Sequence, residues 1–340
     1  LNDPDELEQL HGLCSGADVL VCNWRPQALA KKSLTGKELI EQHPHLIFCH
    51  ITGFGDEGPL ANVPAYEHSV AALTGRMQLF QGLVDRQGPV FSALQVGTHA
   101  CAQSATAGIL ASLHARAQSG TGRAIHTSLL QGFMAYEQGA MLGKQFAEAN
   151  PDSVPGAPPV PAEPPMPSLY YHPAQARDGR WMQFGNLLPH LFDNFLVATD
   201  LIDIVADPDF NPVQLLLPDE KQEAFRERML ARIASRSSSE WMQDLIANGQ
   251  VVAGTYQTTQ EALVDPDIVA NGHALKRSDN SVQLGPIARL SETPAAPGGE
   301  VIDDAKASKS WLHLWTSTPR PAPSPAPKTS DYGLPLKGIK

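Results

Sequence analysis

The first fifty residues alternate between two hydrophobic rhythms. Leu7, Leu10 and Leu13 recur at helical spacing between Pro4-Asp5 and Gly16, which predicts a helix over Asp5–Gly16. Asp18-Val-Leu-Val-Cys22 is instead a short, nearly continuous apolar run, the pattern of a strand buried on both faces. After Asn23-Trp24-Arg25-Pro26, short helical patterns cover Ala28–Lys32 and Gly36–Gln42. A second buried strand, His45–Ile51, then ends in Thr52-Gly53-Phe54-Gly55-Asp56-Glu57-Gly58-Pro59. Helix, strand, helix, strand with short connections predicts an α/β fold on a doubly wound, Rossmann-like parallel sheet. Ligands of such sheets bind beyond the carboxyl ends of the strands, here Asn23–Arg25 and Thr52–Gly58.

Further along, Glu67–Met77 has a helical pattern, and Thr98–Gln118 is a longer, Ala-rich helix in which Gly108 allows close packing. Ala124–Thr127 is a short strand candidate, followed by a helix over Leu129–Glu148. Residues 151–168 are Pro-rich and predict a linker or lid. Tyr170-Tyr171, the turn Arg177-Asp178-Gly179-Arg180 and Trp181–Phe184 predict a small sheet. Helices are expected over Pro189–Asp200, Glu220–Ser235 and Ser239–Asn248, the last capped by Ser238 or Ser239, and a strand over Val251–Tyr256 precedes a short helix over Thr259–Val264. Trp181 and Trp241 are expected in the core. The predicted organisation is a large α/β domain over 1–150, a linker or lid over 151–168, a small α+β domain over 169–295, and a Pro/Ala-rich return segment over 296–333. Residues 334–340 would begin a further strand. The chain opens on Leu1 and closes on that strand start, so both ends look cut.

Composition narrows the chemistry. The formal net charge of −11 argues against a nucleic-acid surface, so an anionic ligand would need a local basic pocket. Cys14, Cys22, Cys49 and Cys101 show no C-x-x-C spacing and no partner histidine pair, which predicts reduced thiols in a cytoplasmic protein with no metal site. No apolar run reaches the roughly 18 residues that span a bilayer, so no membrane partner is expected. Gly53, Gly55 and Gly58 do not by themselves identify a phosphate loop, because such a glycine string outside a strand-to-helix dinucleotide context matches by chance too often.

An ordered set of motifs resembles the class III CoA-transferase (CaiB/BaiF) family over residues 1–295. It comprises Asp18–Cys22 with Asn23-Trp24-Arg25-Pro26; Thr52-Gly53-Phe54-Gly55 with Gly58-Pro59; Ile109-Leu-Ala-Ser-Leu113 with Thr121-Gly122-Arg123; Asp178-Gly179-Arg180-Trp181; Ser239-Glu240-Trp241; and Leu290-Ser291 with Thr293-Pro294. The resemblance implies transfer of CoA between an acyl-CoA thioester and a carboxylic acid, with coenzyme A as substrate and no permanently bound cofactor. It implies CoA contacts at Asn23, Trp24, Arg25, Lys31, Thr52, Gly53, Phe54 and Gly55. Arg25 and Lys31 would supply the local positive charge.

The family nucleophile is an aspartate that attacks the thioester carbonyl, displaces CoA thiolate and forms a mixed anhydride. It follows a glycine and lies eleven residues before the Ile-Leu-Ala motif. That count from Ile109 reaches Thr98, after Gly97. A hydroxyl would give an ordinary ester, too low in energy to return CoA, so Thr98 is expected to be inactive and to serve as a helix N-cap. Its neighbour His99 is expected to cap or join the core. Glu67 is the lesser candidate for a substitute carboxylate, and otherwise a helix-start acid. The racemase branch would need a His-Asp pair where Tyr66 and Thr98 stand.

Family members resemble open rings interlocked as dimers, and Leu336–Lys340 resembles the opening of a second family-type half. The partner is therefore expected to be a second half in the same chain or an interlocked homodimer. This chain would then be a catalytically incomplete half, or a scaffold with no catalytic part.

Overall fold

A computed structural model describes residues 3–79, 87–150, 169–210 and 219–295. The expected linker or lid over 151–168, the return segment over 296–333 and the start of a second half over 334–340 lie outside the described residues. The described residues divide into two compact units, one ending at residue 150 and one starting at residue 169.

In the first unit, β1 (Val19–Cys22), β2 (Ile47–Thr52) and β3 (Ala124–Ser128) form a parallel sheet in the order β1-β2-β3. The fold class is α/β. Between β1 and β2 run α2 (Pro26–Ala30) and α3 (Gly36–Gln42), and α1 (Pro4–Gly16) precedes β1. Leu20, Phe48 and Ala124 stand side by side in register and face these helices, closing a core with Cys14, Leu29, Leu34, Leu39 and Leu46. The opposite face, with Cys49, Ile125 and Thr127, is covered by α6 (Val96–Ser119), where the Cys101 thiol meets Thr127 and a Cβ on Gly108 would come within 3.1 Å of Ile125.

β2 is buried nearly throughout, as its apolar run predicts. β1 is less so: among the described residues it pairs with β2 alone, and Val21 is 53% exposed beside an apolar groove formed with Leu10, Trp24 and Leu29.

Two predicted helices are each broken in two. The first becomes α4 (Glu67–Leu73) and α5 (Arg76–Leu79), because Gly75 adopts φ +81° and ends the helical path. The second becomes α7 (Leu129–Tyr136) and α8 (Gln138–Ala149), with a change of direction at Glu137, whose buried carboxylate pairs with Arg76 at 2.6 Å. The four cysteines are free thiols. Burial pushes those of Cys14, Cys22, Cys49 and Cys101 up, which favours the protonated thiol.

In the second unit, β4 (Tyr171–Gln175), β5 (Trp181–Gly185) and β6 (Ala253–Thr255) form an antiparallel sheet, with Gly179 at φ +80° in the β4–β5 turn. Helices α9 (Pro189–Ala198), α10 (Asp219–Ile233) and α11 (Ser238–Asn248) supply its core with Phe192, Phe195, Phe225, Met229 and Trp241. Trp241 is fully buried and its Nε1 donates to the Ile233 carbonyl at 2.8 Å. Trp181 is half exposed, contrary to expectation, because strand alternation points Met182 and Phe184 inward and leaves Trp181 outside. The cap of α11 is Ser237 in a capping box with Glu240, one residue before the predicted position. The predicted short helix is α12 (Thr259–Ala262), followed by α13 (Pro266–Ala270) and a hairpin of β7 (Ala274–Lys276) and β8 (Val282–Leu284). No described helix is long and apolar enough to cross a membrane.

Candidate functional site

Helix α6 feeds β3 through Gly120–Arg123, so its other end, at Val96, lies toward the carboxyl edge of the parallel sheet. A helix start exposes backbone N–H groups with no partner inside the helix. Gln95, the N-cap, supplies no side-chain acceptor. The acceptor comes from α4: Glu67 Oε1 takes the Gly97 N–H at 2.9 Å, and Glu67 Oε2 takes the Thr98 N–H at 2.8 Å and the Thr98 hydroxyl at 2.7 Å.

Thr98 is therefore not the N-cap that its position suggests. It sits inside the first turn, and a carboxylate from another helix does the capping, favoured by the positive end of the α6 dipole. His99 is exposed, so it neither caps nor joins the core.

Glu67 is itself the first residue of α4 and only 8% exposed. Behind it lies a cavity of about 10 Å³ bounded by Arg76, Met77, Leu94 and Phe133, room for one water at most. The close approach of α6 to α7 that fixes this corner depends on Gly97, where a Cβ would fall 2.3 to 2.8 Å from three carbons of the Phe133 ring. Three donors occupy the Glu67 carboxylate. These contacts hold the helix start.

The loop after β2 is built on equally tight contacts. A Cβ on Gly53 would lie 1.9 Å from the Ala65 Cβ, and the Gly53 carbonyl accepts the Leu130 N–H at 3.0 Å. Gly55 turns the chain at φ +109° while its N–H donates to the Thr52 hydroxyl at 3.0 Å. Phe54 packs toward Val70 and Phe133. Thr52, Phe54 and Gly55 line a cleft of about 230 Å³ together with His126, Ser128 and Gln131.

The loop after β1 stands beside it. Asn23 and Arg25 are exposed and Trp24 is partly so. Arg25 donates to the Asn62 carbonyl at 3.2 Å, and Asn62 Oδ1 accepts the Gln27 N–H at 2.8 Å, so the 59–63 turn steers the basic side chain. Arg25 begins α2 and Lys31 closes it, so the two predicted cations stand at opposite ends of a five-residue helix. The two loops are joined by His50, whose Nε2 donates to the Trp24 carbonyl at 2.7 Å.

The structure thus gathers Asn23–Arg25 and Thr52–Gly55 at one sheet edge and joins Glu67 to Thr98. It also places there residues that the sequence reading passed over: Asn62, and the trio His50, Asp56 and His126. Asn62 carries no motif. His50 and His126 sit in strand patterns as ordinary polar interruptions, and only their shared register marks them as neighbours.

Known proteins resemble the chain over most of its length. At 27% identity over 290 residues it matches the (R)-2-hydroxy-4-methylpentanoate CoA-transferase of Clostridioides difficile, covering 82% of this chain and 67% of that one. At 25% identity it matches the cinnamoyl-CoA:phenyllactate CoA-transferase of Clostridium sporogenes over 78% of this chain and 63% of the relative. The chain therefore spans about two thirds of the length of these relatives. Among solved structures, a CAIB/BAIF family protein from Brucella suis superposes with a TM-score of 0.68 at 20% identity, covering 92% of this chain and 79% of that one. A hypothetical protein from Mycobacterium tuberculosis gives 0.70 at 18% identity, over 87% and 76% of the respective chains. These two likenesses speak for the fold alone. Residues 1–300 match the model of CoA-transferase family III, and with that match across both units the chain belongs to this family.

Proposed function

We propose that this chain is a catalytically incomplete part of a CoA-transferase, one that contributes a CoA-facing wall while a second family-type half or an interlocked second copy supplies the nucleophile. The parent reaction would move CoA from an acyl-CoA thioester to a carboxylic acid, the type of reaction named for the relatives. The observation that carries this reading is the bond between Thr98 and Glu67. The residue at the family's nucleophile position is a hydroxyl that donates to a carboxylate, and that carboxylate is already committed to a helix start. An alcohol acylated by a thioester gives an ester too stable to pass CoA onward.

Arg25 at the carboxyl edge, with Lys31 beyond it, offers the positive charge that CoA phosphates require on an otherwise acidic chain. Exposed apolar side chains on the first unit, including Tyr66 at 79% and both Leu142 and Phe146 one turn apart on α8, support burial against a partner. Racemisation fits less well, because Tyr66 and Thr98 replace its proton-transfer pair.

The test is to incubate the chain with acetyl-CoA or succinyl-CoA, quench with hydroxylamine, and read intact mass and peptide adducts. The expected result is an unmodified protein. A hydroxamate on Glu67 would overturn this reading and make the chain an enzyme in its own right.

A further inference from the structure

We infer that His50, Asp56 and His126 form a binding site for a divalent metal ion of the zinc class, at the carboxyl edge of the parallel sheet. The inference is independent of CoA binding.

His50 on β2 and His126 on β3 are register partners in neighbouring parallel strands, so their rings project from the same face, with centroids 5.8 Å apart. The turn at Thr52–Gly55 brings the chain back over them and sets the Asp56 carboxylate between the rings. Oδ1 lies 3.0 Å from His50 Nδ1, and Oδ2 pairs with His126 Nδ1. Among the described residues, this is the group of histidine, cysteine or acidic side chains whose donor atoms converge, all within 4.8 Å of one another. Small rotamer changes would bring such donors to about 2.1 Å from a common ion.

The contacts of His50 orient it for ligation. A carbonyl oxygen can only accept, so the 2.7 Å contact to Trp24 fixes a hydrogen on His50 Nε2. His50 Nδ1 is then the ring nitrogen that faces the Asp56 carboxylate, 3.0 Å from Oδ1. Asp56 Oδ1 is buried and takes no hydrogen bond in spite of that contact. With His50 only 4% exposed, a cation held between Nδ1 and Oδ1 would satisfy both atoms.

The Trp24 carbonyl is also the kind of outer partner that orients a ligating imidazole and sets its tautomer. The side chains grade from 4% exposure at His50 through 30% at Asp56 to 51% at His126. The site is therefore anchored inside and open on the side of the cleft formed by Thr52, Phe54 and Gly55. Two imidazoles and one carboxylate suit a borderline cation, with a remaining position for water or a ligand oxygen.

The test uses the full chain, treated with chelator and then titrated with Zn²⁺ by calorimetry and with Co²⁺ by visible absorption. One equivalent should bind, with Co²⁺ bands of nitrogen and oxygen ligation and no thiolate charge-transfer band. His126→Ala and Asp56→Asn alter exposed or half-exposed side chains and should leave the fold intact by circular dichroism. Each should weaken binding by about 100-fold, at or above the upper end of the loss from removing an outer partner alone. Failure of the unaltered chain to bind one equivalent, a thiolate band, or binding unchanged in both variants would overturn the assignment.

Discussion

The Thr98 hydroxyl donates to Glu67 Oε2 across 2.7 Å, and the same oxygen accepts the Thr98 backbone N–H. One side chain of α4 thereby closes the start of α6, with Thr98 as a donor in that contact. Glu67→Gln should lose the charge that satisfies three donors and turn an amide N–H toward them. A loss of about 2 kcal/mol is expected from urea denaturation. An unchanged midpoint would mean that α6 does not depend on this carboxylate.

Restoring an aspartate at position 98 should not be benign on this background. Thr98→Asp sets two carboxylates within hydrogen-bond reach and should cost about 1 to 3 kcal/mol. Glu67→Gln combined with Thr98→Asp should cost less than the sum of the single changes. Strict additivity in the double-mutant cycle would show that the two side chains do not interact.

The proposed CoA-facing edge rests on Arg25, which Asn62 orients. Arg25→Ala should weaken CoA binding about tenfold, the effect of losing one charge-assisted contact to phosphate. The loss should shrink at high salt as screening grows. Calorimetric titration of both proteins at two ionic strengths checks this, and equal affinities would remove Arg25 from the site.

Gly53 is held by its neighbour as well as by its turn. Gly53→Ala should cost about 1 to 3 kcal/mol by overpacking, since its Cβ would lie 1.9 Å from the Ala65 Cβ. Adding Ala65→Gly removes that atom and should recover most of the loss in thermal denaturation. No recovery would place the strain elsewhere in the loop.

In the second unit, His172 is buried against Phe184 and Phe195, its Nδ1 donating to the Leu169 carbonyl at 2.9 Å. Burial, with a smaller contribution from the Arg226 charge, holds its imidazole down at about 4. The unfolded chain, with an ordinary histidine near 6.5, binds more protons between these values, so stability is retained at pH 7 and falls as the pH drops from about 6.5 toward 4. A loss of roughly 2 kcal/mol between pH 7 and pH 5 is expected, and His172→Phe should show less of it. Urea titrations scored on peptides from β4 and β5 test this. The same pH dependence in both proteins would assign the acid sensitivity to other groups.

Local periodicity carried most of the element order. The apolar runs placed β1 and β2, the Ala-rich stretch placed α6, and the Arg177–Arg180 turn placed the β4–β5 hairpin. The boundaries failed where the deciding contact came from far along the chain. Helix α6 starts at Val96 instead of Thr98, because its cap is a carboxylate on α4 that no local pattern reveals. The helices on either side of Gly75 and Glu137 read as continuous, since one residue's dihedral angles end a helix without disturbing the spacing of its apolar positions.

By itself the sequence determined the α/β class and the motifs of the family, because these depend on residue identity and spacing along the chain. Only the tertiary structure decided that β1 pairs with β2 alone among the described residues, that the Glu67 carboxylate holds the start of α6, and that His50, Asp56 and His126 meet. Those facts depend on which strands pair, in what register, and how a turn folds back over them. Such relations between distant residues come from packing the whole sheet and leave no period in the sequence.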